Sequence, residues 1–498
     1  MIARVEIHPG RYHDSVRLMR ASKALQNVEG VADALVAMAT ELNLGLLADM
    51  GFDMGAAADA GPNDLILALR AEDEDAIAAA HRALEDALAH KKAPAGGLDA
   101  PDPRTAGSAA AIADANVVLL SVPGEHAFVE AMEALESGRH VMIFSDNVPV
   151  EQEITLKRYG GDHDLLVMGP DCGTTILAGV GLGFANAVQP GSVSMVGASG
   201  TGIQQMCALL DDAGVGVRHA LGTGSRDLSE DVGAASTLQA LEALEEDPAT
   251  DLIVVISKPP ADPVAEKVRR AAERCSKPVV VTFMGDTTLE DGAGKVLTVL
   301  GKPPAAYGTW PAANDDHRPG SVRGLFSGGT LCAEAQFVAA PVLGEVGSHE
   351  DEEGHTFIDY GDDEYTQGRA HPMIDQTVRL ERLAAAARDE SVGVILMDVV
   401  LGYGANADPA AELAPFVHEA VTAGAAVVVS LCGTRGDPQG RDGQAEALSA
   451  VGASIFLSNA AAAREAARLA TAKASALSLI HISEPTRLWS GSRMPSSG

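Results

Sequence analysis

The sequence has few cysteines, no long apolar run and no leader-like start, and each absence narrows the class of protein. The five cysteines are odd in number and scattered without a CxxC pair, so neither a disulfide framework nor a zinc site is predicted. No stretch reaches 18 consecutive apolar residues, and the first 15 residues lack a signal-peptide pattern. We therefore expect a soluble, reduced, cytoplasmic protein without a membrane partner.

Basic residues are also scarce. The sequence has 36 Lys and Arg against 69 Asp and Glu, and its net charge is −33. Nucleic-acid partners are not expected, because a phosphate backbone requires basic stripes. A bound anion must be held locally, by backbone dipoles and a few arginines, against the overall field. No metal site is predicted either, since the 14 histidines show no ligand spacing such as HxxxH.

The length predicts three or four domains, at roughly 100–200 residues each. Residues 1–95 alternate strand and helix patterns, which indicates a small α+β domain of ferredoxin-like or ACT-like type. We interpret this domain as structural or oligomerising. The proline- and glycine-rich stretch 91–108 is predicted to be a linker.

Regular βα alternation begins after that linker and predicts an α/β fold. The strands are short and continuously apolar, which is typical of a parallel sheet covered on both faces. We predict doubly wound parallel-sheet domains, Rossmann-like at 105–190 and flavodoxin-like at 191–300 and 322–475, with a linker at 301–321. The tail 478–498 lacks periodicity, resembles a translated sequencing-adapter fragment and is left out of the fold prediction.

Two glycine-rich turns of the same pattern each stand between a predicted strand and a predicted helix. The first turn is Ser199, Gly200, Thr201 and Gly202, and the second turn is Ser327, Gly328, Gly329 and Thr330. Glycine lets a backbone approach a ligand closely, and the unbonded N–H groups of a first helical turn favour an anion. One such turn is more often simple N-capping. Two similar turns that open two similar domains favour a shared phosphate site.

These turns resemble the two "power helices" of the succinyl-CoA synthetase superfamily, one from the α subunit and one from the carboxyl domain of the β subunit. The resemblance covers about residues 110–475, and the whole chain resembles the FdrA branch of that superfamily. Its further motifs are "MGPDCGT" (168–174), "GTGSRDLSEDVG" (222–233), "FIDYGDD" (357–363), "LMDVVLGYGANADPA" (396–410) and "SLCGTRGDPQGRDGQAEAL" (430–448). The resemblance implies a CoA-binding-type domain at 105–190 and ligase domains of α-subunit and β-subunit type after it.

Three parts of a CoA ligase of that superfamily are not recognised in the sequence. The CoA-binding-type domain lacks its Gly-rich loop, and no ATP-grasp nucleotide domain is visible. The family's phosphohistidine motif is also missing, since no histidine lies between His219 and His317. Without that nucleophile, phosphate cannot be relayed from a nucleotide to an acyl group.

The FdrA resemblance implies a subunit of an oxamate carbamoyltransferase, which converts oxalurate and phosphate to oxamate and carbamoyl phosphate in allantoin (purine) degradation. Backbone N–H groups and an arginine would stabilise the oxyanion that forms when phosphate attacks the carbonyl. Two alternatives stay open: an acid–CoA ligase subunit whose nucleotide parts lie on a partner chain, and a non-catalytic scaffold that binds an acyl phosphate. Small anionic substrates and companion subunits are expected. Phosphate is expected as a substrate, with CoA and nucleotide only under the ligase alternative.

The candidate site residues come from these motifs. The catalytic candidates are Arg226, Arg369 and Arg435 as oxyanion or carboxylate clamps, His371 as general acid to the leaving nitrogen, and Lys258, which replaces an acidic residue of the ligases, as a neutraliser of phosphate. The substrate-binding candidates are Asp171, Cys172, Asp227 and Asp408. Several have a structural alternative: a packed thiol for Cys172, a loop-stabilising role for His371, a surface position for Lys258, and helix capping for Asp227 and Asp408.

Overall fold

The chain folds into a small antiparallel unit followed by three parallel-sheet units. The computed structural model describes residues 1–11, 13, 15–57, 60–88, 103–312, 317–350, 352–366 and 369–471. The predicted tail 478–498 and most of the predicted linker 91–108 lie outside these residues. Within them, no helix is long and apolar enough to cross a bilayer.

The N-terminal unit is a three-stranded antiparallel sheet with its third strand in the centre. Its elements are β1 (Ile2–His8), α1 (Ser15–Gln26), β2 (Val31–Met38), α2 (Glu41–Asp49), β3 (Leu65–Ala71) and α3 (Glu74–Leu88), and the sheet order is β1-β3-β2. The central strand is almost wholly buried. Helix α3 begins with two acidic residues, which suit the positive end of its dipole, and buries its apolar stripe.

The second unit is a small parallel sheet of three strands. Its elements are α4 (Ala106–Ala110), β4 (Val117–Leu120), α5 (Gly124–Glu136), β5 (His140–Ile143), α6 (Val150–Asp162) and β6 (Val167–Met168). The sheet order is β4-β5-β6. The chain then enters the next sheet directly.

The third unit is a six-stranded sheet whose order is β12-β11-β9-β10-β7-β8, parallel except for the edge hairpin β7–β8. Its elements are β7 (Thr174–Leu177), β8 (Val180–Gly183), β9 (Val193–Ala198), α7 (Gly200–Asp212), β10 (Val217–Gly222), α8 (Ala235–Glu246), β11 (Leu252–Ser257), α9 (Asp262–Arg274), β12 (Val279–Phe283) and α10 (Leu289–Val299). Strand β9 is internal to the sheet, and the first turn follows it at its carboxyl end.

The fourth unit is a seven-stranded sheet of order β13-β19-β18-β17-β14-β16-β15, parallel except for β13. Its elements are β13 (Thr309–Trp310), β14 (Ser321–Phe326), α11 (Gly329–Leu343), β15 (Val346–Gly347), β16 (His355–Asp359), α12 (Asp363–Thr366), α13 (Thr377–Arg388), β17 (Val392–Val400), α14 (Pro409–Ala423), β18 (Ala426–Cys432), α15 (Arg441–Ala450), β19 (Ser454–Phe456) and α16 (Asn459–Ala470). All nine residues of β17 are buried.

The predicted fold class is therefore confirmed: parallel α/β sheets with a small antiparallel N-terminal unit. The two large sheets share one apolar core, which includes Met195 and Ile203 on the third unit and Leu331 and Val394 on the fourth. Helices α7 and α11 contact each other within it. Because both helices begin at the carboxyl ends of internal parallel strands, their first turns lie where α/β proteins place their ligands.

Candidate functional site

A cavity of about 730 Å³ lies between the four units, and both glycine-rich turns line it. The first three residues of the first turn and all four residues of the second turn form part of its wall. The N-terminal unit contributes His13, Leu18, Met38 and Thr40 to the wall. The cavity is large enough for a small organic acid together with a phosphate group.

The first turn is capped by its own serine. Ser199 is the N-cap of α7, and its Oγ accepts the N–H of Gly202 at 2.9 Å. Gly202 is therefore engaged within the turn and does not line the cavity. The N–H groups of Gly200 and Thr201, as the first two of the helix, have no partner within it and remain for a ligand.

The second turn is capped from a distant strand. Asp398, fully buried at the end of β17, accepts the N–H of Ser327 at 2.8 Å, its hydroxyl at 2.8 Å and the N–H of Gly328 at 2.9 Å. These donors are consequently unavailable to a ligand, so the structure does not support Ser327 and Gly328 as phosphate donors among the four predicted residues. Gly329 and Thr330, the first residues of α11, retain N–H groups without a partner inside the helix.

The two turns meet directly. The hydroxyls of Ser199 and Thr330 are 2.6 Å apart, across 131 residues of chain. A Cβ atom on Gly328 would lie 2.7 Å from the Thr201 methyl carbon, so glycine is needed for this close approach. The positive ends of α7 and α11 therefore open into the same cavity, the geometry that favours a shared anion.

A lysine and a carboxyl group flank the start of α11. A Cβ on Gly329 would lie 2.5 Å from Nζ of Lys258 and 2.2 Å from Oδ2 of Asp359, so both charged groups border this glycine. Burial raises the pKa of Asp359 to about 6, while the lysine charge opposes that rise. Lys258 thus lines the cavity beside the start of α11, where its predicted role as a neutraliser of phosphate stays a prediction. Asp359 was not singled out there, although it lies in the quoted motif "FIDYGDD".

Asp171 also faces the cavity, three residues after the end of β6. It has a positive φ of 53°, an unusual backbone conformation for a residue other than glycine. The surrounding protein removes enough bulk water to raise its pKa to about 6 even though the side chain is open to the cavity. With Asp359, the cavity therefore contains two carboxyl groups that titrate near neutral pH.

Two of the three candidate arginines reach the cavity. Arg226 lines it while pairing with Glu153 at 3.0 Å and donating to the Val148 carbonyl at 2.6 Å. Arg369 also lines it, and its Nε donates to Oδ1 of Asn43 in the N-terminal unit at 2.6 Å. Burial lowers the pKa of Arg369, with no consequence for its charge near neutral pH.

His371 lines the cavity, with its ring 5.5 Å from the ring of Phe184. Its Nδ1 accepts the backbone N–H of Met373 at 3.2 Å. Burial and the nearby guanidinium of Arg379 lower the pKa of the imidazole to about 4. The ring is therefore neutral at pH 7. This opposes the predicted role of His371 as a general acid that acts from the imidazolium form.

Besides Gly202, four candidates lie away from the cavity lining. The buried thiol of Cys172 contacts Thr175 Oγ1 and backbone oxygens, and burial raises its pKa to about 11, so it is not an activated nucleophile. Asp227 is buried and caps α8 while pairing with Lys157 at 2.7 Å. These contacts fit structural roles for both residues.

Arg435 and Asp408 are the other two candidates outside the cavity lining. Arg435 is largely exposed and pairs at 2.8 Å with Asp212, the last residue of α7, at the opposite end of that helix from the first turn. Asp408 is the N-cap of α14 and accepts from Gln444 at 3.0 Å. Asp437 is likewise structural, since it bonds to Asn186 and to the Ala187 N–H across the two large units.

The charge around the cavity is mixed. Its lining includes Lys258, Arg226 and Arg369 as cations. The acidic lining residues are Glu125, Asp146, Asp171, Asp359, Asp362 and Asp363. An anion must therefore be held by the helix N–H groups and the nearest cations rather than by the net charge of the wall. Among the residues the structure describes, no group of three or more His, Cys, Asp or Glu side chains is arranged to hold a metal ion.

Three family profiles match successive parts of the chain. Residues 1–103 match "AllF, heavy metal-associated domain", residues 190–309 match "Succinyl-CoA ligase like flavodoxin domain", and residues 325–469 match "CoA-ligase". The last two regions each contain one of the glycine-rich turns. The first region has no cysteine, so it offers no thiolate to a soft metal despite the profile's name.

Individual relatives agree with these matches. The chain is 38% identical over 465 residues to "Uncharacterized protein YahF" of Escherichia coli K12, covering 86% of this chain and 89% of that protein. It is 29% identical over 177 residues to succinate–CoA ligase [ADP-forming] subunit alpha of Methanothermobacter thermautotrophicus, covering 35% of this chain and 59% of that subunit. It is 27% identical over 183 residues to malate–CoA ligase subunit alpha of Methylorubrum extorquens, covering 34% and 60%.

Proposed function

Because the chain belongs to the FdrA family, together with YahF, and is built from CoA-ligase-type domains, we propose that it is a phosphate-dependent acyl-transfer subunit. The observation that carries the proposal is the meeting of the starts of α7 and α11 in one cavity, marked by the 2.6 Å contact between Ser199 and Thr330. Phosphate, or the phosphate of an acyl phosphate, would accept the free N–H groups of Gly200, Thr201, Gly329 and Thr330. Lys258 would add the nearest positive charge.

The first specific reaction is acid–CoA ligation. Two of the three named relatives are CoA ligase subunits, and this supports a ligase-type subunit more directly than carbamoyl transfer. Those relatives are also named as subunits, which supports companion chains here. A complete ligase cycle on this chain is opposed by the missing phosphohistidine, which in the family follows the "KPVVVTF" strand. His371 lines the cavity but belongs to the fourth unit and does not follow that strand, so it does not replace the missing residue.

The second specific reaction is phosphorolysis of oxalurate. It needs neither CoA nor a histidine relay, in agreement with the absence of histidine between His219 and His317. A phosphate oxygen forms a bond to the ureido carbonyl carbon, and the bond from that carbon to the oxamate nitrogen breaks. The proton of hydrogen phosphate ends on that nitrogen, so carbamoyl phosphate and oxamate form without another reactant. Asp359, with a pKa of about 6 beside the start of α11, would carry the proton.

The decisive experiment uses the chain purified from its native host with the subunits that remain bound to it. Phosphate-dependent conversion of oxalurate to carbamoyl phosphate, followed by ³¹P NMR, would identify the second reaction. Nucleotide- and CoA-dependent consumption of a carboxylic acid would identify the first. Phosphate binding without either turnover would leave the scaffold as the function. Lys258→Ala should weaken phosphate binding, and Lys267→Ala, which removes an exposed lysine bonded to Gly233, is the matched control.

A further inference from the structure

His371 differs from the other candidate residues in presenting a defined hydrogen-bond donor. A backbone N–H can only donate, so the 3.2 Å contact from Met373 makes Nδ1 of His371 an acceptor. The proton of the neutral ring must then be on Nε2. In the described part of the chain no hydrogen bond to Nε2 is formed, and the side chain lines the cavity.

Nε2 of His371 lies close to the second turn. A Cβ on Gly361 would lie 2.5 Å from the Ser327 carbonyl oxygen, 2.7 Å from Nε2 and 3.1 Å from Oδ1 of Asp359, so all three atoms approach the same glycine. Phe184 packs against the ring from the edge hairpin side. The imidazole therefore stands beside the second turn, with its N–H near the start of α11.

We propose that neutral His371 is a catalytic residue that donates its Nε2–H to the carbonyl oxygen of the group being transferred, and thereby stabilises the oxyanion of the tetrahedral intermediate. This inference rests on the proposed function and deepens it, whether the acyl group is carbamoyl or carboxyl. The phosphate would lie on the helix starts and the carbonyl oxygen would point to the imidazole. No bond to His371 forms or breaks, and its proton stays on Nε2.

The charges around the ring favour this neutral state. Arg379, fully buried on α13, opposes a second positive charge, and burial acts in the same direction to place the pKa at about 4. Asp359, at the end of β16, approaches the same glycine as Nε2, and its ionisation acts the opposite way. A neutral donor avoids the protonation step that an imidazolium acid would require after each turnover.

The test is NMR of the full-length protein with ¹⁵N-labelled histidine, in which the His371→Gln spectrum assigns the His371 signals. The expected result is a neutral ring with its proton on Nε2 from about pH 5.5 to pH 8. Phosphonoacetamide, which has a phosphonate and a carbonyl group, should shift the Nε2 signal, whereas methylphosphonate, which lacks the carbonyl, should not. A protonated ring at pH 7, a proton on Nδ1, or equal shifts with both ligands would overturn the proposal.

Variants give a second readout. His371→Ala should lower kcat by about 10²–10³-fold with little change in KM, the usual effect of removing one oxyanion donor. His371→Gln, which keeps an N–H donor at a similar reach, should stay within about tenfold of wild type. The control is His355→Gln, because Nδ1 of His355 also accepts a backbone N–H but the residue is outside the cavity lining. Equal losses in the alanine and glutamine variants would contradict a donor role.

Calorimetry with methylphosphonate distinguishes a failure of the proposed phosphate site from a failure of the role assigned to His371. If neither phosphonate binds, the anion site itself is wrong, and the role of His371 falls with it. If both bind but the NMR tautomer is Nδ1–H, the phosphate site stands and only the donor assignment is lost.

Discussion

The first and second turns have nearly the same sequence pattern but are stabilised differently. In the first turn, Ser199 caps its own helix. In the second turn, N-cap Gly328 has no side chain to do so, and Asp398 from β17 takes over the capping. The comparison teaches that similar turns need not offer equal donors. The first turn depends on local sequence, whereas the second depends on a buried ion pair between Asp398 and Arg379.

The largest expected difference between the turns is in stability. Asp398→Ala would leave Arg379 buried without its partner and two N–H groups of the second turn without acceptors. We expect a loss of about 3–5 kcal/mol, the usual cost of breaking a buried pair from one side. Calorimetric unfolding of the full-length protein measures it. Glu266→Ala, which breaks the exposed pair with Arg270, is the control and should change little. Equal melting curves for the two variants would refute the capping role.

The next prediction compares the glycines at the two helix starts. Gly329→Ala would place a methyl group within 2.2–2.5 Å of Asp359 and Lys258, whereas Gly200→Ala would meet Thr174 Oγ1 at 3.3 Å. We expect the first variant to lose about tenfold or more in phosphate affinity, because the anion and the displaced groups compete for one space. The second should lose about threefold or less, since helix-start donors remain in place. Titration calorimetry with phosphate tests the order, and a reversed order would contradict the proposed position of the anion.

A smaller effect is expected from pH. Asp171 beside the first turn and Asp359 beside the second turn both have pKa values raised to about 6. As pH rises through 6 both ionise, so the affinity for sulfate, whose charge is constant over this range, should fall by a few-fold. Asp359→Asn and Asp171→Asn should each flatten part of this dependence. The free energy of unfolding should also fall as the pH rises. A carboxyl pKa that is raised in the folded state makes folding less favourable as pH increases from about 4 to 6.

That pH prediction fails if sulfate affinity is constant between pH 5 and 8, or if it increases. Both outcomes would mean that the two carboxyl groups do not face the anion. Glu242→Gln, a substitution outside the cavity lining, serves as the control for unrelated charge effects.

The smallest expected effect is the coupling between the turns. Ser199→Ala removes an N-cap and should cost about 1 kcal/mol, and Thr330→Val removes only the hydroxyl contact. A double-mutant cycle in the free energy of unfolding should give an interaction of about 0.5–1.5 kcal/mol, the net worth of a typical hydrogen bond. Strict additivity would show that the two hydroxyls do not hold the turns together in solution.

The sequence predicted the fold class and the two turns because both depend on local patterns. Apolar strands and periodic helices are short-range signals, and a Ser-Gly turn before a helix is read from a few residues. The sequence did not predict that Asp398 occupies the second turn, since that contact spans 70 residues and depends on the order of strands β14 and β17. Nor did it show that Arg435 lies at the far end of α7, because the order of motifs along the chain does not give the distances between them in the fold.

The protonation state of His371 was also beyond the sequence. The motif suggested a general acid, but burial, Arg379 and the Met373 N–H decide that the ring is neutral. The N-terminal unit was interpreted as structural or oligomerising, and its contribution to the cavity wall through Thr40 and Met38 was not foreseen. In each case the missing information was which distant segments become neighbours.

The contact between Asn43 and Arg369 joins residues 326 positions apart, so the cavity combines segments that are synthesised at widely separated times. During translation, the N-terminal unit leaves the ribosome long before the segment that holds Arg369 and His371 exists. A nascent chain therefore has no complete cavity until the segment around Arg369 has emerged. A ligand of this cavity can stabilise the fold only after that segment has met the N-terminal unit, so a chain that terminates before Arg369 gains no stability from it.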